Sequence, residues 1–111
     1  MSPRLKTEIW IKAHIRRCRV AGIDAYLRHR GHADAGGILL KIDRFAAGCE
    51  LLEPTAGLDG ERVWMRISGQ APVTSARAEE VIARRLARDP DLWVVEIEDP
   101  NGAHVLDEPI I

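Results

Sequence analysis

The sequence has few of the features that mark specialised classes of protein. It contains only two cysteines, Cys18 and Cys49, and 5% aromatic residues, and it has no repeat or low-complexity tract. Its longest apolar runs, such as 36–40, fall far short of the roughly 20 residues that a membrane span needs. The charged stretch 1–12 lacks a signal-peptide core. We therefore expect a cytoplasmic protein with two reduced, buried thiols and no membrane association.

The sequence also lacks a combination of residues with the type and spacing of a catalytic or metal site. His29, His32 and Asp34 are ligand types that zinc accepts, but a glycine-rich loop supplies no rigid frame for them. Glu96 and Glu98 share one face of a predicted strand, yet nothing predicts the apolar pocket that a general acid requires. We therefore assign no catalytic, cofactor-binding or metal-binding residues, and the sequence points away from an enzyme.

What is present is the composition of an ordinary globular protein. The chain has 111 residues, of which 46% are hydrophobic and 30% charged, and this size and composition predict a single domain over 1–111. Residues 1–50 carry ten Lys or Arg against five Asp or Glu, a net of +5, and residues 51–111 carry six against twelve, a net of −6. Either the two halves lie against each other and their charges cancel, or a basic surface meets a partner, by head-to-tail association or by contact with phosphates.

Two segments have helical patterning. Leu5–Ala21 contains no glycine or proline and ends before Gly22. It has an apolar face around Ile11 and Cys18. A charged strip lies opposite and consists of Glu8, Lys12, Arg16 and Arg19. A second apolar strip lies beyond it and consists of Leu5, Ile9, Ala13 and Val20. A helix with two apolar sides predicts two neighbours, the sheet and either the second helix or another copy of the chain. The second helix is predicted over 75–88, with Thr74 as its N-cap.

The remaining segments alternate between apolar and polar residues, as strands do. The predicted strands are Ala25–Arg30, Ile38–Asp43, Cys49–Glu53, Glu61–Ser68, Leu92–Glu98 and a short one at Ala103–Leu106. Short turns between successive strands favour an antiparallel meander, and one-sided alternation favours a sheet with one wet face. We therefore predict an α+β two-layer sandwich in which two helices cover one face of a mainly antiparallel sheet of about five strands, in the order helix, four strands, helix, strand, short strand.

The most distinctive stretch is 88–102. Pro90 ends the second helix, because proline has no amide hydrogen and forces the residue before it out of the α region. The strand that follows leads into Asp99-Pro100-Asn101-Gly102, which has the residue types of a type I turn.

Together with segments near the N-terminus, this stretch resembles a family of short bacterial proteins catalogued as domain of unknown function 1491. The residues that carry the resemblance are Leu5-Lys6-Thr7, Ile15-Arg16-Arg17, Arg30-Gly31, Asp34-Ala35-Gly36, the run Asp89–Asp99, and Gly102. The resemblance covers nearly the whole chain. It implies a cytoplasmic bacterial protein and carries no activity, because the family is uncharacterised.

One surface has a composition that suggests binding. If the alternation of its strand is kept, Trp64 projects outward between Arg62 and Arg66, on the same predicted sheet face as Arg28 and Arg30. An aromatic ring among cations can grip single-stranded nucleic acid or a partner chain. Alternatively, the ring is covered by a loop, by the C-terminal residues Pro109-Ile110-Ile111 or by a second copy.

These observations lead to two expectations about function. The first is a small non-enzymatic interaction module that forms homo-oligomers or acts as a protein-partner adaptor. The second is an accessory protein that contacts RNA or DNA through the arginine and tryptophan residues of that sheet face.

Overall fold

The computed structural model describes residues 6–111 as two helices and one five-stranded sheet. This confirms the predicted α+β class, the number of helices and the order of helices and strands up to the last predicted strand. No helix in this described part of the chain is long and apolar enough to cross a membrane. The elements are α1 (Thr7–Val20), β1 (Asp24–His29), β2 (Ile38–Asp43), a 3-10 turn (Phe45–Ala47), β3 (Cys49–Ala56), β4 (Arg62–Arg66), α2 (Ser75–Arg88) and β5 (Trp93–Glu98).

The last strand, β5, lies inside the sheet rather than at its edge. The strand order is β1-β5-β2-β3-β4, with β5 parallel to β2 and every other pair antiparallel. A meander therefore forms only from β2 to β4. The loop 30–37 between β1 and β2 is long enough to let β5 enter between them, and this non-local pairing leaves no trace in the local sequence pattern.

The two helices cover opposite faces of the sheet, so the predicted two-layer arrangement with both helices on one face is wrong. On one face, here called the α1 face, Ile11 and Cys18 pack against alternate residues of β2 and β5. On the other, the α2 face, Ala78 and Ile82 of α2 pack against the intervening strand residues. Successive residues of a strand point to opposite faces, so two separate cores share one sheet.

Local signals at the ends of α2 and β5 are confirmed. The Thr74 side chain caps α2 by accepting a hydrogen bond from the Arg77 amide at 3.1 Å, and the helix ends at Arg88 before Pro90. The turn after β5 closes with a 3.0 Å hydrogen bond from the Gly102 amide to the Asp99 carbonyl.

The segment 103–106 is not a strand, so that prediction is wrong. Both sides of β5 are already paired with β1 and β2, so the segment has no free edge beside β5 to join. It crosses α1 instead, where the Val105 carbonyl accepts a hydrogen bond from Arg17 at 3.1 Å.

The two cysteines are buried and unpaired, as predicted. Cys18 belongs to the core on the α1 face and Cys49 to the core on the α2 face, so the sheet separates them. Burial raises the pKa of both thiols. Both therefore act as small apolar core residues.

Candidate interaction surface at the open sheet edge

The structure does not bring the five predicted surface residues together. Arg28 and Arg30 belong to β1 and its end, and Arg62, Trp64 and Arg66 belong to β4; the strand order places β1 and β4 at opposite edges of the sheet. A single surface made of all five is therefore absent. Each group has to be considered where it lies.

Trp64 is fully buried, so the prediction that it projects outward is wrong. Its ring lies on the α1 face under the C-terminal tail, defined here as residues 103–111, so the alternative that this part of the chain covers it is confirmed. The indole N–H donates to Glu108 at 3.0 Å. The Trp64 amide donates to the Pro109 carbonyl at 2.9 Å, and the Ile111 amide donates to the Trp64 carbonyl at 2.7 Å. The tail thus pairs with the outer edge of β4.

The two arginines beside Trp64 are occupied by contacts within the chain. The Arg62 guanidinium carbon lies 5.5 Å from the centre of the Trp10 ring and 5.9 Å from that of Trp64, which is cation–π distance. Arg66 lies 3.5 Å from a Glu50 carboxylate oxygen. The aromatic rings near β4 are therefore covered by a cation and by the tail, which leaves no open ring on which a base can stack.

Arg28 points to the α2 face, into a cluster of four charged side chains called here the ionic cluster: Arg28, Lys41, Glu79 and Glu96. Arg28 contacts Glu96 at 2.5 Å and Glu79 at 2.6 Å. Lys41 contacts Glu79 at 2.7 Å and Glu96 at 3.3 Å. Lys41 and Glu96 are each only 4% exposed, so these pairs neutralise charges that would otherwise be stranded inside the protein.

The pKa values in the ionic cluster follow from these contacts. Burial alone would lower the pKa of Lys41, but its hydrogen bond to Glu79 and the charge of Glu96 outweigh burial and raise it. The hydrogen bond from Arg28, with further help from Lys41, lowers the pKa of Glu79 to about 2 against the opposing effect of partial burial. These contacts hold Lys41 and Glu79 in their charged forms, which suits a structural role better than proton transfer.

Three carboxylates lie next to the ionic cluster and offer the one set of oxygens in the described residues with metal-ligand spacing. One oxygen from each of Asp43, Glu96 and Glu98 lies within 4.8 Å of the others. Glu96 already contacts Lys41 and Arg28, and Glu98 accepts a hydrogen bond from Tyr26 at 3.2 Å. Two local cations therefore compete with any metal for the Glu96 carboxylate.

The histidine loop does not assemble a metal site from His29, His32 and Asp34. The His29 Nδ1 lies 2.8 Å from the Leu92 carbonyl, and the His32 Nδ1 accepts from the amides of Asp34 and Ala35 at 3.2 and 3.3 Å. These ring nitrogens are used to fix the local backbone.

Arg30 lies on the α1 face, although Arg28, two residues earlier, lies on the α2 face. A β-bulge between Leu27 and His29 shifts the register of β1 against β5 and moves later side chains to the other face. Arg30 forms an ion pair with Glu8 of α1 and lies 5.2 Å from the centre of the Trp93 ring. Sequence alternation alone gives both arginines the same face, so the bulge is the reason that they separate.

A groove of about 540 Å³ lies between α1 and β1, called here the α1–β1 groove. Its floor is apolar and consists of Ile11, Ile15, Leu27 and Trp93. Its rim is cationic and consists of Lys12, Arg16, Arg19 and Arg30. The charged strip of α1 was visible in the sequence, but its place beside β1 depends on tertiary packing.

The outer edge of β1 borders this groove and is not covered by other backbone. Among the residues that the structure describes, β1 pairs with β5 alone. Leu27 on this edge is 41% exposed, in contrast to the fully buried Trp64 on the opposite edge. An edge strand with unpaired amides and carbonyls can accept another extended chain.

The segments that carry the family resemblance meet beside the groove. The Thr7 and Glu8 amides at the start of α1 donate to the carbonyls of Asp34 and Ala33 in the loop, at 3.3 and 2.9 Å. The loop in turn packs against the residues just before β5: the Asp91 carbonyl accepts from the His32 amide at 2.9 Å. Gly31 and Gly36 both have no room for a Cβ against that carbonyl. These segments hold α1, the loop and β5 together.

Comparison with a family model and with solved structures gives consistent matches over nearly the full length. A family model described as a protein of unknown function, DUF1491, matches residues 5–107. The crystal structure of a DUF1491 family protein from Caulobacter crescentus CB15 is 38% identical, with a TM-score of 0.86 over 97% of this chain and 100% of the other. The NMR structure of a DUF1491 family protein from the same organism is 37% identical, with a TM-score of 0.84 over 99% of each chain.

A third solved structure and the curated proteins add little about function. The solution structure of a protein from A. tumefaciens is 28% identical, with a TM-score of 0.74 over 96% of this chain and 97% of the other. No curated protein matches the chain. The family-model match over nearly the entire sequence is decisive: the chain belongs to the DUF1491 family, whose function is unknown.

Proposed function

We propose that this protein is a small cytoplasmic interaction module, without enzymatic activity of its own, that binds another protein along the β1 edge. The observation that carries the proposal is the difference between the two sheet edges. The tail pairs with β4, whereas β1 pairs with β5 alone within residues 6–111 and borders an apolar groove. Strand addition at such an edge is a common mode of protein recognition.

The ionisable groups of the protein support an interaction role over a catalytic one. The buried charges of the ionic cluster are paired with one another at 2.5 to 3.3 Å. Burial raises the pKa of both thiols, which makes them poor nucleophiles. Acid–base catalysis would need an ionisable group that is not held in ion pairs, and nucleophilic catalysis would need a thiol with a lowered pKa.

Contact with RNA or DNA has less support as a function. The predicted aromatic contact, Trp64, is buried, and Arg62 lies across the same rings that a base would need. The cationic rim of the α1–β1 groove still offers charge for phosphates. The experiment below therefore includes nucleic acid as a distinguishable outcome.

Site-specific photo-crosslinking in cells tests the proposal. A photoreactive phenylalanine analogue replaces Leu27 at the open edge, and a matched protein carries it at the exposed Leu58 in the loop between β3 and β4. We expect discrete adducts from position 27 and none of the same mass from position 58. Equal adducts from both positions, or none from position 27, would contradict the proposal.

The mass and chemistry of the adduct identify the kind of partner. An adduct of two 12.4 kDa chains would assign the edge to a second copy, which is the homo-oligomer form of the proposal. An adduct that nuclease removes would replace the proposal with nucleic-acid contact. An adduct that protease removes and that contains a different protein supports the adaptor form.

A further inference from the structure

We infer that the α1–β1 groove takes an acidic, extended segment of a partner protein, which adds to β1 as a further strand and places apolar side chains on the groove floor. This inference rests on the proposed function and names the chemistry of the partner. Three features of the groove carry it: its charge, its floor and its open backbone edge.

The charge around the groove is strongly one-sided. Four cations, Lys12, Arg16, Arg19 and Arg30, face one carboxylate, Glu8, which pairs with Arg30 and lies 3.4 Å from Lys12. Arg16 has no ion pair with any described residue, and Arg19 contacts only the Ala25 carbonyl, at 3.3 Å. A ligand with carboxylates would therefore gain charge complementarity that the described part of the chain does not supply.

The floor of the groove accepts apolar side chains from an added strand. Leu27 projects from β1 toward Ile15 of α1, and both remain partly exposed while Ile11 and Trp93 beneath them are buried. A strand that pairs with β1 points every second side chain to the same face as Leu27. The groove volume of about 540 Å³ suits a few such side chains.

The bulge limits where the added strand can pair. Regular pairing of β1 with β5 runs from Asp24 to Leu27, and the register shifts after Leu27. An added strand would therefore align with residues 24–27, where Arg16 and Arg19 of α1 lie on the groove side. This places the acidic residues of the ligand beside the two guanidinium groups that have no carboxylate partner among residues 6–111.

The C-terminal tail shows that this protein recognises such a segment at its other edge. Asp107 pairs with Arg17 at 2.9 Å, Glu108 accepts from the Trp64 indole, and Ile110 forms a parallel bridge with Trp64 and packs against the core of the α1 face. An acidic, extended and partly apolar segment therefore already covers β4. The groove beside β1 offers the same combination of cations, apolar surface and strand edge.

Fluorescence anisotropy with three labelled peptides tests the inference. The peptides share a central alternation of Ile and Thr and differ only in their flanks, which are paired Asp, paired Ser or paired Lys. We expect the Asp peptide to bind at least about tenfold more tightly than the Ser peptide, with an advantage that shrinks as salt is raised, and the Lys peptide to bind least. In NMR spectra the Asp peptide should shift amide signals of β1 and α1 and leave those of β4 unchanged.

Charge reversal provides the matched variants. Arg16→Glu with Arg19→Glu should weaken the Asp peptide at least about tenfold, since both contacts become repulsive. Arg84→Glu with Arg88→Glu reverses two exposed arginines on α2, across the sheet, and should leave binding unchanged. Both double variants lie on helix surfaces, and matching circular dichroism spectra would show that each retains the fold.

The outcomes separate this inference from the proposed function. Equal binding of the Asp and Ser peptides, or tighter binding of the Lys peptide, would overturn the inference that the partner is acidic. If Leu27→Asp abolished that binding, the proposed interaction at β1 would still stand. Binding of none of the peptides would overturn the inference, and crosslinks from position 27 would then show whether the proposed function survives. Binding of a peptide copy of residues 103–111, together with a dimeric mass by light scattering, would replace the foreign partner with a second copy.

Discussion

β1 and β4 are both edge strands of one sheet, but only β4 is covered by another part of the chain. The tail bonds to both sides of the Trp64 peptide unit and buries its ring completely, whereas Leu27 on β1 stays 41% exposed. Unprotected edges invite aggregation, and proteins often protect them with charges, bulges or covering segments. Here β4 has the cover, and β1 has a bulge and neighbouring arginines.

Under the proposed function, the arginines beside β1 would disfavour direct pairing of two β1 edges and would still admit a ligand of opposite charge. Two β1 edges brought together would oppose the cationic rims of their grooves, which disfavours self-pairing. A segment of opposite charge meets no such barrier. Substitutions at the two edges and at the cluster that anchors β1 can test how far this contrast extends.

The largest expected effect comes from the covered edge. Trp64→Ala removes a fully buried ring and its hydrogen bond to Glu108, and should lower the free energy of unfolding by about 3–5 kcal/mol. Leu27→Ala is the matched change at the open edge and should lower it by less than about 1 kcal/mol, since the side chain is already partly in water. Urea unfolding measures both free energies, provided that the slope of the free energy against urea concentration is the same for both variants. Similar losses for the two variants would show that the edges are equally integrated into the fold.

The second effect concerns the ionic cluster that attaches β1 to the centre of the sheet. Glu96→Gln removes the charge between Arg28 and Lys41 and should destabilise the protein by about 2–3 kcal/mol, somewhat less than a buried pair broken outright, because Glu79 still contacts both cations. The matched change Glu98→Gln, at a less buried carboxylate on the same strand, should cost below about 1 kcal/mol. Thermal unfolding measures both changes. The rate of amide hydrogen exchange in β1 should also rise for Glu96→Gln but not for Glu98→Gln. An unchanged rate in β1 would mean that the ionic cluster does not stabilise this edge strand.

Opening the covered edge should have a third, smaller effect. Removal of residues 108–111 deletes two backbone hydrogen bonds to Trp64 and one to its indole, and should lower the free energy of unfolding by about 1–2 kcal/mol. With two open edges, copies can pair head to tail, so the mass measured by light scattering should rise with concentration. Glu108→Gln keeps an acceptor for the indole and serves as the control, with a change within about 0.5 kcal/mol. A shortened protein that stays monomeric would indicate that the tail is not needed to block association.

The sequence predicted the elements well because helices, turns and caps depend on nearby residues. Thr74, Pro90 and the Asp99 turn each act where the local rules place them. The predicted layers are wrong because alternation of apolar and polar residues predicts a sheet that is buried on one face only. The runs 38–42 and 93–97 are in fact buried at every position, and their adjacent apolar pairs were a signal for strands covered on both faces.

The candidate surface was less predictable because it depends on which strands become neighbours. β1 and β4 lie at opposite edges of the sheet, with β5, β2 and β3 between them, and β5 reaches its central place from the far end of the chain. Trp64 is buried because its face of the sheet is the one that α1 covers, and the tail adds backbone contacts at Pro109 and Ile111 that no local pattern records. The α1–β1 groove is formed by residues that are far apart in sequence. The sequence pattern therefore predicts only that the cations of α1 form a solvent-exposed strip, and not that they border a groove.

The smallest expected effect is a pH dependence that originates at the anchor of β1. The pKa of Glu79 is about 2 in the folded protein, below its ordinary value of 4.5, so the unfolded chain takes up a proton at a pH where the folded protein does not. Its contribution to stability is therefore complete above pH 4.5 and is lost as the pH falls from 4.5 toward 2. Because Glu79 is partly in water, Glu79→Gln should cost only about 1 kcal/mol or less at neutral pH.

Glu80→Gln, one position along α2, supplies the comparison, since that carboxylate pairs, within residues 6–111, with the exposed Arg77 and Arg84 of the same helix and no other cation. Urea unfolding at intervals from pH 7 to pH 2 should give a shallower acid loss for Glu79→Gln than for the parent protein, and an almost unchanged curve for Glu80→Gln. Parallel curves for the parent protein and Glu79→Gln would mean that Arg28 is held by Glu96 alone. The side chain of Arg28 would then attach β1 to β5 through Glu96, with no contribution from α2.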